Sequence, residues 1–362
     1  MSVHKNQYMP ILKWRQGEYQ ALMRVKDAEK DKIFPLIVVP PIEYDFEEKR
    51  LKKTIQEHIE PLSKRIKDKW GVRPFFIDFH SSVIVGVMDS GNYVPVHIFS
   101  ELRALGCTAI PVTNFERDKS YNNQVKSILL EDSRGFCLRV TLSQMMHKDF
   151  NSNVITLCNS IGVDINEVDL VLDLEEPDNF EPYTTFAGLI VAAINKVNRL
   201  DDYRSFILAG MSLKLSEIAK PGDEVPRHEW VIYKMVASLL NRSRIPTYGD
   251  YTIETPKFVN QDMRLMKPAG KIAYACDDTW LVPKGGAFRG AEQQMINHCN
   301  AIITSGKYYG AAFSFGDKRI EDTANGAQGC GNLSTWKQVG VNHHIETVVS
   351  QIANLHAASI AP

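Results

Sequence analysis

The strongest constraint on the fold is a rhythm of short apolar segments that alternate with helix-like segments over the first 250 residues. Short runs rich in β-branched and aromatic residues are typical of buried strands in a parallel sheet. Their alternation with amphipathic segments indicates βαβ units. Eight such units predict a closed (β/α)8 barrel of the TIM type, which usually needs about 250 residues. The predicted strands are 8–14, 34–41, 73–80, 107–114, 135–142, 168–176, 205–212 and 245–252.

An open, doubly wound α/β sheet is the alternative, because one sequence does not reveal strand order. No G-x-G-x-x-G follows the first strand, which counts against a dinucleotide-binding version. The rhythm changes after residue 262. We therefore expect the barrel to occupy residues 1–262 and an α+β extension packed on it to occupy 263–362. A final amphipathic helix, opened by His343 and His344, is predicted to close the extension.

Charged residues stand at the carboxyl ends of the predicted strands, where TIM barrels carry their active sites. Asp78 and Asp173 are the most telling, since each lies inside an apolar run and is followed by another apolar residue. A charge in such a run is costly unless it is paired or coordinated. The candidate catalytic residues are Lys13, Glu43, Asp78, His80, Arg139, Asp173 and Glu175, and Asp250 is a further candidate at the eighth strand.

These side chains leave several chemistries open. Carboxylates with a histidine could bind a divalent metal ion and support a metal-assisted hydrolase or lyase. Lys13 and Arg139 could hold a phosphate or a carboxylate. Lys13 could also form a Schiff base if burial lowers its pKa.

Composition narrows the setting. The formal net charge of −1 argues against a nucleic-acid partner. A basic stretch at 49–69 carries interspersed glutamates, and we interpret it as the solvated face of an outer barrel helix. No apolar run approaches the ~20 residues that span a bilayer, and no secretory signal opens the chain. Six scattered cysteines without a CxxC pair indicate reduced thiols, and we expect a cytoplasmic protein.

Three motifs give the chain a family resemblance. Tyr8-x-Pro10-Ile11-Leu12-Lys13-x-x-x-Gly17-Glu18 opens it, a Pro-rich strand leading to Glu43 follows, and Trp336-x-x-x-Gly340-x-x-His343-His344 lies near the end. The sequence resembles the beta protein family of bacteria and phages. The resemblance implies a role in phage–host conflict, and it adds Glu18, Trp336, His343 and His344 to the candidate residues.

Two functions remain open from the sequence. One is an enzyme whose barrel-mouth site acts on a small anionic or phosphorylated molecule. The other is a non-enzymatic scaffold or sensor that binds a protein partner of a phage-defence system through its C-terminal region.

Overall fold

The computed structural model describes residues 3–240, 244–259, 261–262 and 264–358. Eight parallel strands form a closed barrel in which each strand pairs with its neighbours in sequence, and the last pairs with the first. This confirms the predicted (β/α)8 barrel and excludes the open sheet. The strands are β1 (Tyr8–Leu12), β2 (Leu36–Val39), β3 (Phe75–Phe79), β4 (Ala109–Thr113), β5 (Phe136–Thr141), β6 (Val168–Asp173), β7 (Ser205–Gly210) and β8 (Thr247–Asp250).

Burial on both faces explains why these strands are continuous apolar runs. Every residue of β6 and β7 is buried, because one face lines the barrel interior and the other packs under the outer helices. The pairing of β5 with β6 runs from Phe136 opposite Val168 to Thr141 opposite Asp173. Charged side chains at these strand ends therefore reach the carboxyl edge of the barrel together.

Helices surround the barrel, and several begin at capping residues. Thr54 and Thr141 each form a capping box, and the Asp118 carboxylate accepts a hydrogen bond from the Tyr121 N–H. The α-helices are Gln16–Met23, Asp27–Lys30, Ile55–Ile59, Leu62–Trp70, Ser81–Ile84, Val94–Ala104, Lys119–Asp132, Leu142–Met146, Phe150–Ile161, Tyr183–Asn195, His228–Leu239, Gln294–Thr304, Phe315–Ala324 and Leu333–Ala358, with 3-10 turns at Ile165–Glu167 and Leu200–Asp202.

Short strands outside the barrel form two further sheets. A two-stranded ribbon pairs Tyr44–Asp45 with Arg50–Leu51. In the second sheet, the long strand Thr279–Ala287 pairs antiparallel with Gly222–Pro226, Ala269–Lys271 and Tyr274–Ala275.

The C-terminal helix, Leu333–Ala358, takes the place of the eighth outer helix of the barrel. It packs against the first helix, where the Asn342 amide donates to the Ala21 carbonyl (3.2 Å). Val341, Ile345 and Val349 join the main apolar core. The prediction that His343 and His344 open this helix was wrong, because the helix begins ten residues earlier.

A smaller apolar cluster fills the rest of the C-terminal region, with Ile272, Met295, Cys299 and Trp336 among its members. How the chain divides into folding units at residue 262 stays a prediction. Within the ranges that the structure describes, no helix is both long and apolar enough to cross a bilayer.

Candidate functional site

Three charged side chains meet inside the carboxyl end of the barrel. Arg139 of β5 donates from Nε to Asp173 Oδ2 on β6 (2.8 Å), and from NH1 to Asp78 Oδ2 on β3 (3.0 Å). Strands β3 and β5 are not neighbours, so Asp78 and Arg139 can meet only in the barrel interior. The structure thus brings together the two carboxylates that the sequence singled out, and it places a guanidinium between them.

We call the group of Arg139, Asp173 and Asp78 the mouth network, and further hydrogen-bond donors complete it. Arg117 donates to Asp78 Oδ1 (2.8 Å), and the Tyr251 hydroxyl lies 2.5 Å from both Asp173 Oδ2 and Arg139 NH2. Burial disfavours the charge on Arg139, but Tyr251, Asp173 and Asp78 outweigh it and raise its pKa well above the ordinary value. The mouth is therefore closed by its own ion pairs and hydrogen bonds.

The described residues offer no ligand set for the divalent metal that the sequence suggested. Among them, no three His, Cys, Asp or Glu side chains converge in a geometry that could hold a metal ion. The carboxylates of Asp78 and Asp173 surround the Arg139 guanidinium, which supplies the compensating positive charge.

A mouth segment, residues 254–258, lies over the ends of the strands. The Lys13 ammonium donates to the Lys257 carbonyl (2.6 Å) and lies 4.7 Å from the centre of the Phe258 ring. The same ring packs edge-on against His80, with centroids 5.3 Å apart. Burial lowers the pKa of Lys13. The segment therefore fixes Lys13 and packs against His80 at the carboxyl end of the barrel.

Glu18 is a buried acid beside Lys13. Burial and the nearby Glu254 carboxylate raise the pKa of Glu18 to about 7. Its Oε2 accepts a hydrogen bond from the Arg15 N–H (3.1 Å), whereas Oε1 finds no partner among the described residues. Glu254 in turn forms an ion pair with Lys337 of the C-terminal helix (2.8 Å). Glu18 is therefore a buried carboxyl group whose one described hydrogen bond comes from the backbone.

A cleft of about 530 Å³ opens next to the mouth, between the ends of β1 and β2 and the start of the C-terminal helix. We call it the basic cleft. Its cationic side chains are Arg15, Lys52, Lys53, Arg65 and Lys337, and Glu43 is the one carboxylate among its described lining residues. The Glu43 carboxylate is already paired with Lys52 (2.9 Å), which lowers its pKa. The remaining surface includes Trp14, Tyr19, His58, Pro40, Pro41, Ile42 and Leu333.

Two backbone features shape the floor of the cleft. Gly17 lies against Lys337, and a Cβ at Gly17 would stand 2.7 Å from Lys337 Cγ. Trp14 has φ of +50°, which is a strained conformation for a bulky residue. Its indole is buried, and its Nε1 has no hydrogen-bond partner in the described part of the chain. The floor of the cleft is thus closely packed at Gly17, and the Trp14 ring lies below its surface.

The other candidate residues near the mouth are not part of the network. His80 follows β3 and caps the short helix Ser81–Ile84. Burial lowers the pKa of His80, and the positive charge of Arg117 lowers it further. Glu175 is exposed, and burial of part of its surface together with Asp173 raises its pKa. Glu43 lies on the rim of the basic cleft.

Asp250 and His344 meet on the outer side of the barrel wall. His344 Nε2 lies 2.7 Å from Asp250 Oδ2, and Tyr8 and Tyr248 also donate to this carboxylate. Burial lowers the pKa of His344, and its Nε2–H donates to the Asp250 carboxylate. Trp280 stacks on this ring at 4.8 Å. The group connects β8 to the C-terminal helix, away from the mouth.

His343 and Trp336 belong to the smaller core. His343 Nδ1 lies 2.8 Å from Asp317 Oδ2, and Tyr274 stacks on its ring at 3.8 Å. The Trp336 Nε1–H donates to the Cys330 carbonyl (2.8 Å). The two adjacent histidines thus face different clusters, and neither lines the cleft.

Sequence reasoning missed most of the basic cleft. Lys53 and Arg65 stand in the stretch at 49–69 that we interpreted as a solvated face, yet they line the cleft together with Lys337. Glu254 and Tyr251 follow β8 and carried no pattern of their own. The one available signal was the density of Lys and Arg just after β2.

Comparison with known proteins decides the family. The family model described as "Beta protein" matches residues 8–350, nearly the whole chain. The chain belongs to the beta protein family. The matched range of this beta protein includes β1, the mouth network and most of the C-terminal helix. No curated protein matches the sequence.

Solved structures that resemble this beta protein do so at low sequence identity and low TM-score. The catalytic domain of a chitinase from Pyrococcus furiosus is 10% identical, with a TM-score of 0.37, and covers 68% of this chain and 84% of its own. The 3-dehydroquinate dehydratase from Enterococcus faecalis is 11% identical, with a TM-score of 0.37. The match covers 69% of this chain and 90% of the dehydratase. A GH18 chitinase from Pseudoalteromonas aurantia is 11% identical, with a TM-score of 0.38. The match covers 67% of this chain and 92% of the chitinase. Likeness at this level carries nothing about activity.

Proposed function

We propose that the protein binds a small anionic ligand in the basic cleft. The observation that carries this proposal is the charge of the lining, where five Lys and Arg side chains stand against one carboxylate that is already paired. The whole chain has a net charge of only −1, so this excess is local. A concave site lined by one sign of charge concentrates ligands of the opposite sign.

Three of the cations are available to a ligand. Lys52 and Lys337 are engaged by Glu43 and Glu254. Arg15, Lys53 and Arg65, by contrast, form no ion pair within the described residues. Arginine recognises phosphate and carboxylate groups through two parallel hydrogen bonds, and lysine adds a point charge.

The mouth network supports the cleft, rather than the barrel centre, as the ligand site. Arg139 is occupied by two carboxylates of its own chain, and the mouth segment lies over the strand ends. A ligand at the centre would have to replace these contacts. The cleft has room for a ligand without such a change.

Catalysis of a reaction on the bound ligand stays a prediction. A metal-assisted hydrolase or lyase would have to show turnover of the bound ligand. A non-enzymatic scaffold or sensor would bind the ligand, or a protein partner, without turnover. The proposal for binding holds in both cases, and product analysis after incubation separates them.

We also propose that the protein acts in the cytoplasm during phage–host conflict. Membership of the beta protein family supports this role through the resemblance noted above, and six free cysteines support a reducing compartment. We expect phage plaque counts to change when the chain is expressed, and to return to the control value with a variant in which Lys53 and Arg65 are alanine.

A thermal-shift panel tests the binding proposal. Phosphate, pyrophosphate, sulfate and citrate are added to the wild-type chain and to the variant Lys53→Ala with Arg65→Ala. A ligand that binds the folded state raises the melting temperature by mass action. We expect at least one anion to raise it in the wild type and not in the variant. Equal shifts in both proteins, or no shift with any anion, would overturn the proposal.

A further inference from the structure

We infer that the anion bound in the basic cleft is a mononucleotide, with its phosphate on the cations and its base on the apolar wall. This inference rests on the proposed function, because it names the ligand class of the same site. It is carried by the juxtaposition of a cationic rim, an aromatic and apolar wall and a histidine within one cleft of about 530 Å³. Clefts of 300–1,000 Å³ suit ligands of this size.

The wall explains why a simple inorganic anion would leave most of the cleft unused. Tyr19, Pro40, Pro41 and Ile42 form this apolar surface, and the buried Trp14 ring packs against Tyr19 with the two ring centroids 5.7 Å apart. Phosphate or sulfate has no group that gains from burial against such a surface. A planar base does gain, because bases stack on aromatic side chains irrespective of their sequence.

Arg65 joins the two halves of the cleft. Its guanidinium lies over the Tyr19 ring, 5.4 Å from the centroid, so the plane of the arginine is held beside the aromatic wall. An arginine in this position can stack on a base and can also face a phosphate. Lys53 adds a second cation that is free of ion pairs in the described structure.

His58 contributes a ring nitrogen to the cleft lining that can accept a hydrogen bond. Its Nε2 lies 2.9 Å from the Pro40 carbonyl, which can only accept, so Nε2 carries the proton. Burial lowers the pKa of His58, which favours the neutral ring, and with the proton on Nε2 the Nδ1 atom is an acceptor. An exocyclic amine of a base, such as that of adenine, is the matching donor. A purely cationic phosphate site would have no use for this acceptor.

Isothermal titration with adenosine 5′-monophosphate, ribose 5-phosphate and pyrophosphate tests the inference. We expect the mononucleotide to bind about tenfold or more tighter than ribose 5-phosphate, since stacking of one base contributes that much. His58→Ala should weaken the mononucleotide severalfold and leave ribose 5-phosphate unchanged. Far-UV circular dichroism and the melting temperature confirm that the variant is folded.

The outcomes separate this inference from the proposed function. Equal affinity for the mononucleotide and ribose 5-phosphate overturns the nucleotide inference and leaves anion binding intact. Absence of binding by all three probes overturns both. If His58→Ala weakens adenosine 5′-monophosphate and ribose 5-phosphate equally, the histidine does not recognise the base, and the inference fails.

Discussion

Arg139 and Asp173 form a close ion pair inside the barrel, with Nε and NH2 of the arginine 2.8 and 2.7 Å from the same carboxylate oxygen. The two residues lie on neighbouring strands, and only a small part of either side chain reaches solvent. The pair therefore belongs to the structural closure of the barrel mouth. The basic cleft beside it, by contrast, is open.

Removal of the carboxylate should destabilise the fold. In Asp173→Ala the guanidinium of Arg139 stays buried with one carboxylate fewer, and loss of one partner of a buried pair costs about 3–5 kcal/mol. The control is Glu175→Gln, an exposed neighbour for which we expect a change of less than about 0.5 kcal/mol. Urea unfolding measures both. Equal stability of the two variants would show that the network does not hold the mouth together.

Protonation of Glu18 should make stability depend on pH near neutrality. Burial raises its pKa to about 7, so the folded protein holds a proton there that the unfolded chain releases near pH 4.5. Its contribution is complete at low pH and is lost as pH rises toward 7. We expect Glu18→Gln to flatten the stability profile between pH 5 and 8, and to stabilise the fold at pH 8 by on the order of 2 kcal/mol. An unchanged pH profile in this variant would contradict the assignment.

A double-mutant cycle should detect the contact between Gly17 and Lys337. Gly17→Ala places a methyl group against the Lys337 stem and should cost about 1–3 kcal/mol. In a Lys337→Ala background most of the obstructing stem is absent, so the same change should cost less. The coupling is measured by chemical unfolding of the four proteins. Strictly additive costs would show that the two residues do not constrain each other.

Asp250 should affect stability without affecting ligand binding. Asp250→Ala leaves the donors of Tyr8, Tyr248 and His344 buried without their acceptor, so we expect a loss of at least about 3 kcal/mol. Because this cluster lies outside the barrel wall, the variant should bind anions with wild-type affinity at a temperature where it is folded. Weaker binding under those conditions would place Asp250 in the site after all.

The sequence predicted those parts of the molecule that local pattern controls. Each barrel strand is an apolar run long enough to recognise, and the charges of Asp78 and Asp173 stood out because they interrupt such runs. Their meeting with Arg139 followed from the common edge of parallel strands. The guanidinium partner explains why charges in this position are tolerated.

The basic cleft depends on contacts that no local pattern contains. Arg65 and Lys337 are 272 positions apart in the chain, and they line one cleft because the C-terminal helix takes the eighth position around the barrel. That helix begins at Leu333 and runs through Gly340, although glycine lowers helix propensity. A Cβ at this glycine would stand 3.0 Å from the Ala273 carbonyl oxygen, so close packing of the backbone explains its presence there.

The most direct test of anion binding in the basic cleft is a calorimetric titration of pyrophosphate into three proteins at two salt concentrations. They are the wild type, Arg65→Ala and Lys64→Ala, the last being an exposed cation beside the cleft residue that does not line the cleft. We predict at least tenfold weaker binding for Arg65→Ala, wild-type affinity for Lys64→Ala, and weaker binding at high salt. Equal affinity of all three proteins for pyrophosphate would contradict the central claim.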